Sequence, residues 1–415
     1  MIIGDYQSQG WQVALRNTLH NLYINFQDKC CCCLSKMDAS YTDELRLIIL
    51  NSKEPFIIRD TLNWSLVEWK LEKWSELLSS EDLEFRCGKY RFTMEPQWER
   101  STEVSKKKFN ELINVDVRHN KKWLYFDYKY LNRYLKDRKE LHKCICWGMF
   151  GFPEYNSEES TLWIGSEGAH TPCHKDTYGC NLVAQIFGKK RWILFPPDED
   201  LYSTRIPYEE SSIYSKLNFF SPNKIELFKD IKQCKSVILE PGEVLFVPNG
   251  WWHYVENLEM AISINIWIPL RTDSKEQLKE ALVQMFISQI IRDLNTDKQK
   301  EVLNPNMEEL HLDAQKVWQS VDVINSCKRN CTSSITKSHD SIHVEELFKK
   351  YPKYLHKIPN LSKMDFNSLL EDQAARFEHD TECEEEVNLD DDNLSNIINA
   401  ITKVLFYLPK LNTAA

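Results

Sequence analysis

Asn181-Leu-Val-Ala-Gln-Ile-Phe-Gly-Lys-Lys-Arg-Trp-Ile-Leu-Phe195, closed by Pro196-Pro197, is the stretch on which the fold turns. Residues 181–187 and 191–195 are short runs rich in aromatic and β-branched side chains, and Phe187-Gly188 separates them, so they read as strand, turn, strand. The same texture extends in both directions. Thr161-Leu-Trp-Ile-Gly165 precedes it, and Val237-Ile-Leu239, Val244-Leu-Phe-Val247 and Ala261 to Ile268 follow. Pro241-Gly242 and Pro248-Asn249-Gly250 supply the turns between them. Many short strands with no intervening helix indicate a sandwich or a barrel, with its core at about 160–268.

Outside that core the periodicity changes. Leu45, Ile48 and Ile49 fit a short helix that Pro55 ends, and Phe56-Ile57-Ile58 reads as a strand. Trp69, Trp74, Leu77 and Leu78 predict another helix, and the lysine-rich segment Ser105 to Lys122 predicts a solvated surface excursion. After Leu270 helices return: Ser274-Lys-Glu-Gln277 has the form of a capping box, followed by Leu278, Leu282, Met285, Phe286 and Ile290. Glu378 to Asp392 carries nine acidic residues and reads as a solvated linker. Leu394, Ile397, Ile398, Ile401, Val404, Leu405 and Leu408 fall on one face of a closing amphipathic helix. The expected organisation is an N-terminal extension (1–37), a main domain (38–270), a C-terminal helical region (271–376), an acidic linker (377–393) and a terminal helix (394–415).

The 415 residues are 42% hydrophobic and 27% charged, enough for a real core, and 11 glycines exclude collagen-like and glycine-rich classes. Lys and Arg total 52 against 62 Asp and Glu, a net charge of −10. That balance disfavours sequence-independent nucleic-acid binding, which rests on clustered basic residues. No apolar run approaches the ~18 residues of a membrane span, so no membrane partner is expected. Met1 to Val13 lacks the basic-then-apolar pattern of a signal peptide, so the 13 cysteines are expected as reduced thiols in the cytoplasm, with the nucleus as a second compartment. The run Cys30-Cys31-Cys32-Cys33 reads as an irregular exposed segment, with a metal or lipidation site as the alternative.

The chemistry centres on His174, Asp176 and His253. In an extended segment residues i and i+2 share a face, so His174 and Asp176 point to the same side, at a strand edge just before the run 181–187. His253 follows Val247-Pro-Asn-Gly-Trp-Trp at the exit of another strand. Two imidazoles and one carboxylate on one side of a metal form the facial triad of non-haem Fe(II) oxygenases. A histidine in an aromatic core, hydrogen-bonded to backbone, is the competing reading. Lys190 begins a strand that is otherwise apolar. It either reaches solvent or points into the barrel, where an unpaired ammonium requires an anion such as a dicarboxylate. Thr171, Asn181 and Asn265 would add hydrogen bonds there. In Ala261 to Trp267 the isoleucines take one face and Ser263 and Asn265 the other, which suits a ligand-lined barrel.

The segments Ile164 to Asp176, Gln185 to Pro197 and Pro241 to His253 resemble the JmjC domain, and most closely its branch containing the asparaginyl hydroxylase factor inhibiting HIF. Gly179-Cys-Asn-Leu-Val183 and Thr204 to Asn218 are similar to the small-heat-shock-protein-associated protein 1 family. The resemblance covers roughly residues 40–290. It implies an α+β architecture: a double-stranded β-helix of the cupin/JmjC jelly-roll type, with flanking helices and a C-terminal helical region.

The resemblance also implies Fe(II) held by His174, Asp176 and His253. Lys190 and Thr171 would meet the distal carboxylate of the cosubstrate 2-oxoglutarate, Tyr125 would complete that pocket, and Asn181 and Asn265 would lie near iron and cosubstrate. O2 and 2-oxoglutarate would be consumed, and succinate, CO2 and a hydroxylated product released. Lys175 between the ligands and the loop 200–220 depart from the asparaginyl hydroxylase, so its substrate does not carry over. An acidic chain without a chromatin-reader zinc module favours hydroxylation of a protein side chain over histone demethylation. The alternative is a regulatory protein of the stress response that binds a small heat-shock protein and uses its JmjC fold for interaction. Hydroxylases of this branch dimerise through C-terminal helices, which leaves two roles open for the terminal helix: a homodimer contact, or docking on helix 274–291.

Overall fold

The computed structural model describes residues 39–79, 82–99, 102–203, 212–223, 225–290, 293–295, 321–326 and 344–377, the side chains of 280 and 283–290 excepted. The N-terminal extension, the cysteine run, the acidic linker beyond Phe377 and the terminal helix lie outside the described residues.

Fourteen described strands form two sheets. They are β1 (Phe56–Ile58), β2 (Leu83–Lys89), β3 (Glu103–Lys107), β4 (Lys122–Tyr130), β5 (Thr161–Gly165), β6 (His170–Asp176), β7 (Cys180–Phe187), β8 (Lys190–Phe195), β9 (Ser212–Tyr214), β10 (Lys235–Leu239), β11 (Val244–Val247), β12 (Trp252–Asn257), β13 (Ala261–Ile268) and β14 (Leu355–Lys357). The larger sheet runs β14-β1-β11-β7-β13-β5-β4-β2-β3 and the smaller β10-β8-β12-β6-β9, with antiparallel pairing between all neighbours. Flanking helices complete an α+β double-stranded β-helix.

Period-two patterning explains why the sheets face each other. On β13, Ile262, Ile264 and Ile266 join the core under the N-terminal helices, and Ser263, Asn265 and Trp267 line the cavity between the sheets. On β7, Leu182, Ala184 and Ile186 take the first face, and Asn181 and Val183 the second. On β8, Ile193 and Phe195 point out of the smaller sheet, whereas Lys190 and Trp192 point in. Ile57, Leu194, Leu245 and Val247 belong to an apolar cluster that also includes the cavity-lining Val183, Trp192 and Val255. The β7–β8 turn needs glycine: Gly188 has φ +62, and a Cβ there would lie 2.0 Å from the Met260 carbonyl oxygen.

The helix Ala39–Asn51 buries Tyr41, Leu45, Ile48 and Ile49 against the larger sheet, as the spacing predicts. Three expectations are corrected. The Ser105–Lys122 segment is not wholly solvated: it contributes to the edge strand β3 and forms two short helices, and Phe109, Leu112 and Val117 are buried in the core. The helix expected to begin at Ser274 begins at Asp273, whose carboxylate accepts the N–H of Gly179 (2.9 Å) and of Leu270 (2.8 Å). Residues 355–357 lie within the region expected to be helical, yet β14 pairs with β1 and extends the larger sheet. Among the described residues Cys87, Cys144, Cys173, Cys180 and Cys234 are free thiols. No helix among the described residues is long and apolar enough to cross a membrane.

Candidate active site

His174 and His253 are direct cross-strand partners in the β6–β12 pair, so their rings lie 4.2 Å apart between centroids. Each belongs to a strand of its own, not to the edge or exit of another, which corrects the sequence-based placement. Pro172 and the charged residues beside the ligands mask the strand character of β6. The pairing slips between His253 and Val255, so a local irregularity sits at the ligand position itself. Asp176 shares the face of His174, and its Oδ1 lies 3.7 Å from His174 Nε2. One donor atom from each of the three residues can be chosen so that all lie within 4.8 Å of one another.

The surroundings decide which atoms face inward. His174 Nδ1 lies 2.9 Å from the Pro172 carbonyl and His253 Nδ1 lies 3.0 Å from that of Trp251. A carbonyl oxygen only accepts, so each Nδ1 carries the proton and each Nε2 presents a lone pair. Burial, with His174 close by, pushes the His253 imidazole down to about 4, so the ring is neutral at physiological pH. The Trp267 indole donates to Asp176 Oδ2 at 3.0 Å, which leaves Oδ1 turned toward the histidines.

Lys190 stands at the other end of the same cavity. It is 1% exposed, which removes the reading that it reaches solvent. Its Nζ donates to Ser263 Oγ at 2.7 Å and to the Tyr125 hydroxyl at 3.4 Å. Tyr125 is also hydrogen-bonded to Thr171, and burial raises its pKa. Asp127 lies nearby, but Arg86 holds it at 2.7 Å. Among the described residues no carboxylate is within ion-pair distance of Lys190. Burial therefore pushes the ammonium down to about 7, with Asp127 acting weakly against it.

A directional chain forms the wall between the two ends. The Trp163 indole can only donate, and it meets Asn265 Oδ1 at 2.7 Å. Asn265 must then offer Nδ2, which meets Asn181 Oδ1 at 2.8 Å. Asn181 is left with its own N–H2 to present to the cavity.

All eight residues picked from the sequence, Tyr125, Thr171, His174, Asp176, Asn181, Lys190, His253 and Asn265, line this one cavity. Sequence reasoning missed the orienting roles of Trp163 and Trp267, and it missed Tyr128. The alternation on β13 is the signal that places Trp267 beside Asn265; nothing local marks Tyr128.

A jelly-roll barrel with two histidines and one carboxylate gathered on its inner face defines a cupin-type domain. This chain belongs to the cupin-like domain family, whose model matches residues 44–271. It is 36% identical over 310 residues to HSPB1-associated protein 1 of Homo sapiens, covering 70% of this chain and 62% of that protein. It is 38% identical over 281 residues to HSPB1-associated protein 1 of Bos taurus, covering 63% and 58%. A more distant match is Arginine-specific demethylase JMJ20 of Arabidopsis thaliana, 33% identical over 145 residues, or 34% and 30% of the two chains. The chain thus spans about three fifths of the length of the first two relatives.

Proposed function

We propose that this protein is an Fe(II)- and 2-oxoglutarate-dependent oxygenase that hydroxylates a side chain of a protein substrate. The observation that carries this reading is the conjunction, in one cavity, of a two-imidazole, one-carboxylate cluster and a buried ammonium with no counter-ion. The donor set fits iron: two imidazole Nε2 atoms and one carboxylate oxygen, each side chain held from behind by a fixed partner. Lys190 fits the distal carboxylate of 2-oxoglutarate, because a charge buried with only hydroxyls for company is completed by an anion.

Bound iron would supply the activation of O2 for C–H oxidation, coupled to decarboxylation of 2-oxoglutarate. The protein's share is preparation. His174, Asp176 and His253 would hold the metal, and Trp267 would keep Asp176 from rotating. Lys190, Tyr125 and Thr171 would clamp the far end of the cosubstrate. Asn181 would offer an N–H to an anionic oxygen, with its amide orientation set by Trp163 and Asn265. Aromatic walls would keep the site dry.

We place the protein in the cytoplasm, with the nucleus as a second compartment. The relatives' name favours one further reading, that a small heat-shock protein is its partner. The two roles are compatible, because a scaffold alone has no physical need of the triad or of Lys190. Metal analysis combined with 2-oxoglutarate turnover tests the enzyme. The wild type should retain about one iron per chain and form succinate, and H174A/D176A should do neither. Equal iron retention by both proteins would remove the triad, and with it the oxygenase reading.

A further inference from the structure

Three tryptophans line the cavity, and the indole N–H groups of two are committed. Trp163 donates to Asn265 Oδ1 at 2.7 Å and Trp267 to Asp176 Oδ2 at 3.0 Å. The third is Trp192. It is 5% exposed, and its Nε1 is buried with no hydrogen-bond acceptor among the described residues. Trp74, Trp123 and Trp252 also keep a buried indole N–H without an acceptor, but none of them lines the cavity. An indole nitrogen only donates, so an acceptor is the one kind of group that completes Trp192. Left unmade, the bond costs the folded protein the desolvation of that N–H.

Strand register fixes where this donor stands. On β8, Lys190 and Trp192 are two residues apart and share the inner face. In the β8–β12 pair, Lys190 is opposite Asn257, Trp192 opposite Val255 and Leu194 opposite His253. Trp192 is therefore one step from Lys190 toward the level of His253. Its ring lies 5.8 Å from that of His253, with 31° between the planes. Val183 and Val255, which line the cavity and share an apolar cluster with Trp192, bring no side-chain acceptor. A ligand that reaches from the Lys190 ammonium to the metal ligands passes along this indole.

We infer that the Trp192 indole donates its N–H to the metal-side carboxylate of 2-oxoglutarate and so orients the cosubstrate between Lys190 and the metal. This rests on the oxygenase reading and adds a cosubstrate-binding residue to that site. The donors divide by place. Lys190, Tyr125, Thr171 and Ser263 are hydrogen-bonded together at one end, where they suit the distal carboxylate. The other half of the dicarboxylate comes beside His253, and there Trp192 holds an unspent donor. An N–H given to a carboxylate makes a charge-assisted bond, stronger than one to a neutral acceptor. The indole is itself neutral, so it orients the carboxylate without adding positive charge beside the metal ion.

The test removes the N–H and keeps the ring. In the full chain Trp192 is replaced by 3-benzothienylalanine, in which sulfur stands where the indole N–H was. Calorimetry on the Ni(II)-loaded protein should show 2-oxoglutarate binding weakened about tenfold, the scale of one charge-assisted hydrogen bond. Ni(II) affinity should be unchanged, which reports an intact barrel. A second readout uses wild-type protein loaded with diamagnetic Zn(II) and carrying isotope-labelled indole nitrogens. The Trp192 N–H resonance, assigned by its loss in Trp192→Phe, should move downfield and exchange more slowly with water when 2-oxoglutarate is added. It should still move in Lys190→Met at saturating 2-oxoglutarate, because the contact is with the opposite carboxylate. Unchanged 2-oxoglutarate affinity in the isostere, a wild-type resonance that does not respond, or a response lost in saturated Lys190→Met overturns the inference while the oxygenase reading stands. If the wild type binds Ni(II) but not 2-oxoglutarate, the oxygenase reading itself falls and takes this inference with it.

Discussion

The smaller sheet carries a buried charge on each face, and the two are built in opposite ways. On the outer face, Glu256 of β12 is ion-paired with Arg376 and accepts Gln373 Nε2 at 2.8 Å and the Tyr254 hydroxyl at 3.0 Å. Arg376 also donates to the Phe220 carbonyl at 2.9 Å. Burial pushes Glu256 up, but Arg376 outweighs it and holds the carboxyl below its ordinary range. This closed network fastens the helix Lys363–Ala375, with Phe366 and Leu370, to the barrel. On the inner face, Lys190 has two hydroxyls and no counter-ion. A buried charge that brings its partner is part of the frame; one left without a partner is held for a ligand.

The largest effect should come from breaking the closed network. Arg376→Ala leaves a carboxylate buried and uncompensated, so urea unfolding should show a loss of about 3–5 kcal/mol, toward the low end because Arg376 is 26% exposed. Replacing Glu256 and Arg376 together by apolar residues should recover most of that loss. If the single and double variants are equally unstable, packing and not charge holds the helix.

Asp176→Ala should cost metal affinity by more than about a hundredfold while the melting temperature of the metal-free protein barely moves. A metal-free protein that unfolds instead would make the triad part of the frame.

Lys190→Met should separate the two faces most clearly. Loss of the charged contact should weaken 2-oxoglutarate binding by about 1.5–3 kcal/mol, roughly tenfold or more by calorimetry. The ligand-free variant should be as stable as the wild type or more so, opposite in sign to Arg376→Ala. The pH dependence carries the same distinction. Lys190 falls to about 7 in the folded chain from an ordinary 10.5, so between those values the unfolded state binds more protons. Wild-type stability, measured against Lys190→Met, should therefore rise with pH across that window, and its penalty should be complete below about 7. A flat difference would mean that Lys190 holds its proton as tightly in the folded chain as in the unfolded one, and that burial does not penalise its charge.

Trp267→Phe should have the smallest effect, about tenfold in Co(II) affinity with an altered visible spectrum, because it frees Asp176 Oδ2 without removing a ligand. An unchanged spectrum would show that the strand alone fixes the carboxylate.

What the sequence determines by itself is whatever follows from the direction of side chains along one strand. The alternation of Ile262, Ile264 and Ile266 with Ser263 and Asn265 predicts a wet inner face. The i, i+2 spacing puts His174 and Asp176 on one side, and a lysine heading an apolar strand raises the question of an anion. The two-histidine, one-carboxylate pattern joins them to His253, Thr171 reads as a hydrogen-bonding group of the same cavity, and resemblance adds Tyr125. Tertiary structure alone decided the rest. Arg86 and Asp127 are 41 residues apart in the chain, and Trp163 and Asn265 are 102 apart. Whether Lys190 was buried with a partner or without one turned on where Asp127 and Arg86 went. The physical reason is that periodicity records which way a side chain points, whereas the counter-ion it meets depends on non-local strand pairing, and in a low-dielectric interior that pairing sets the energy of every charge.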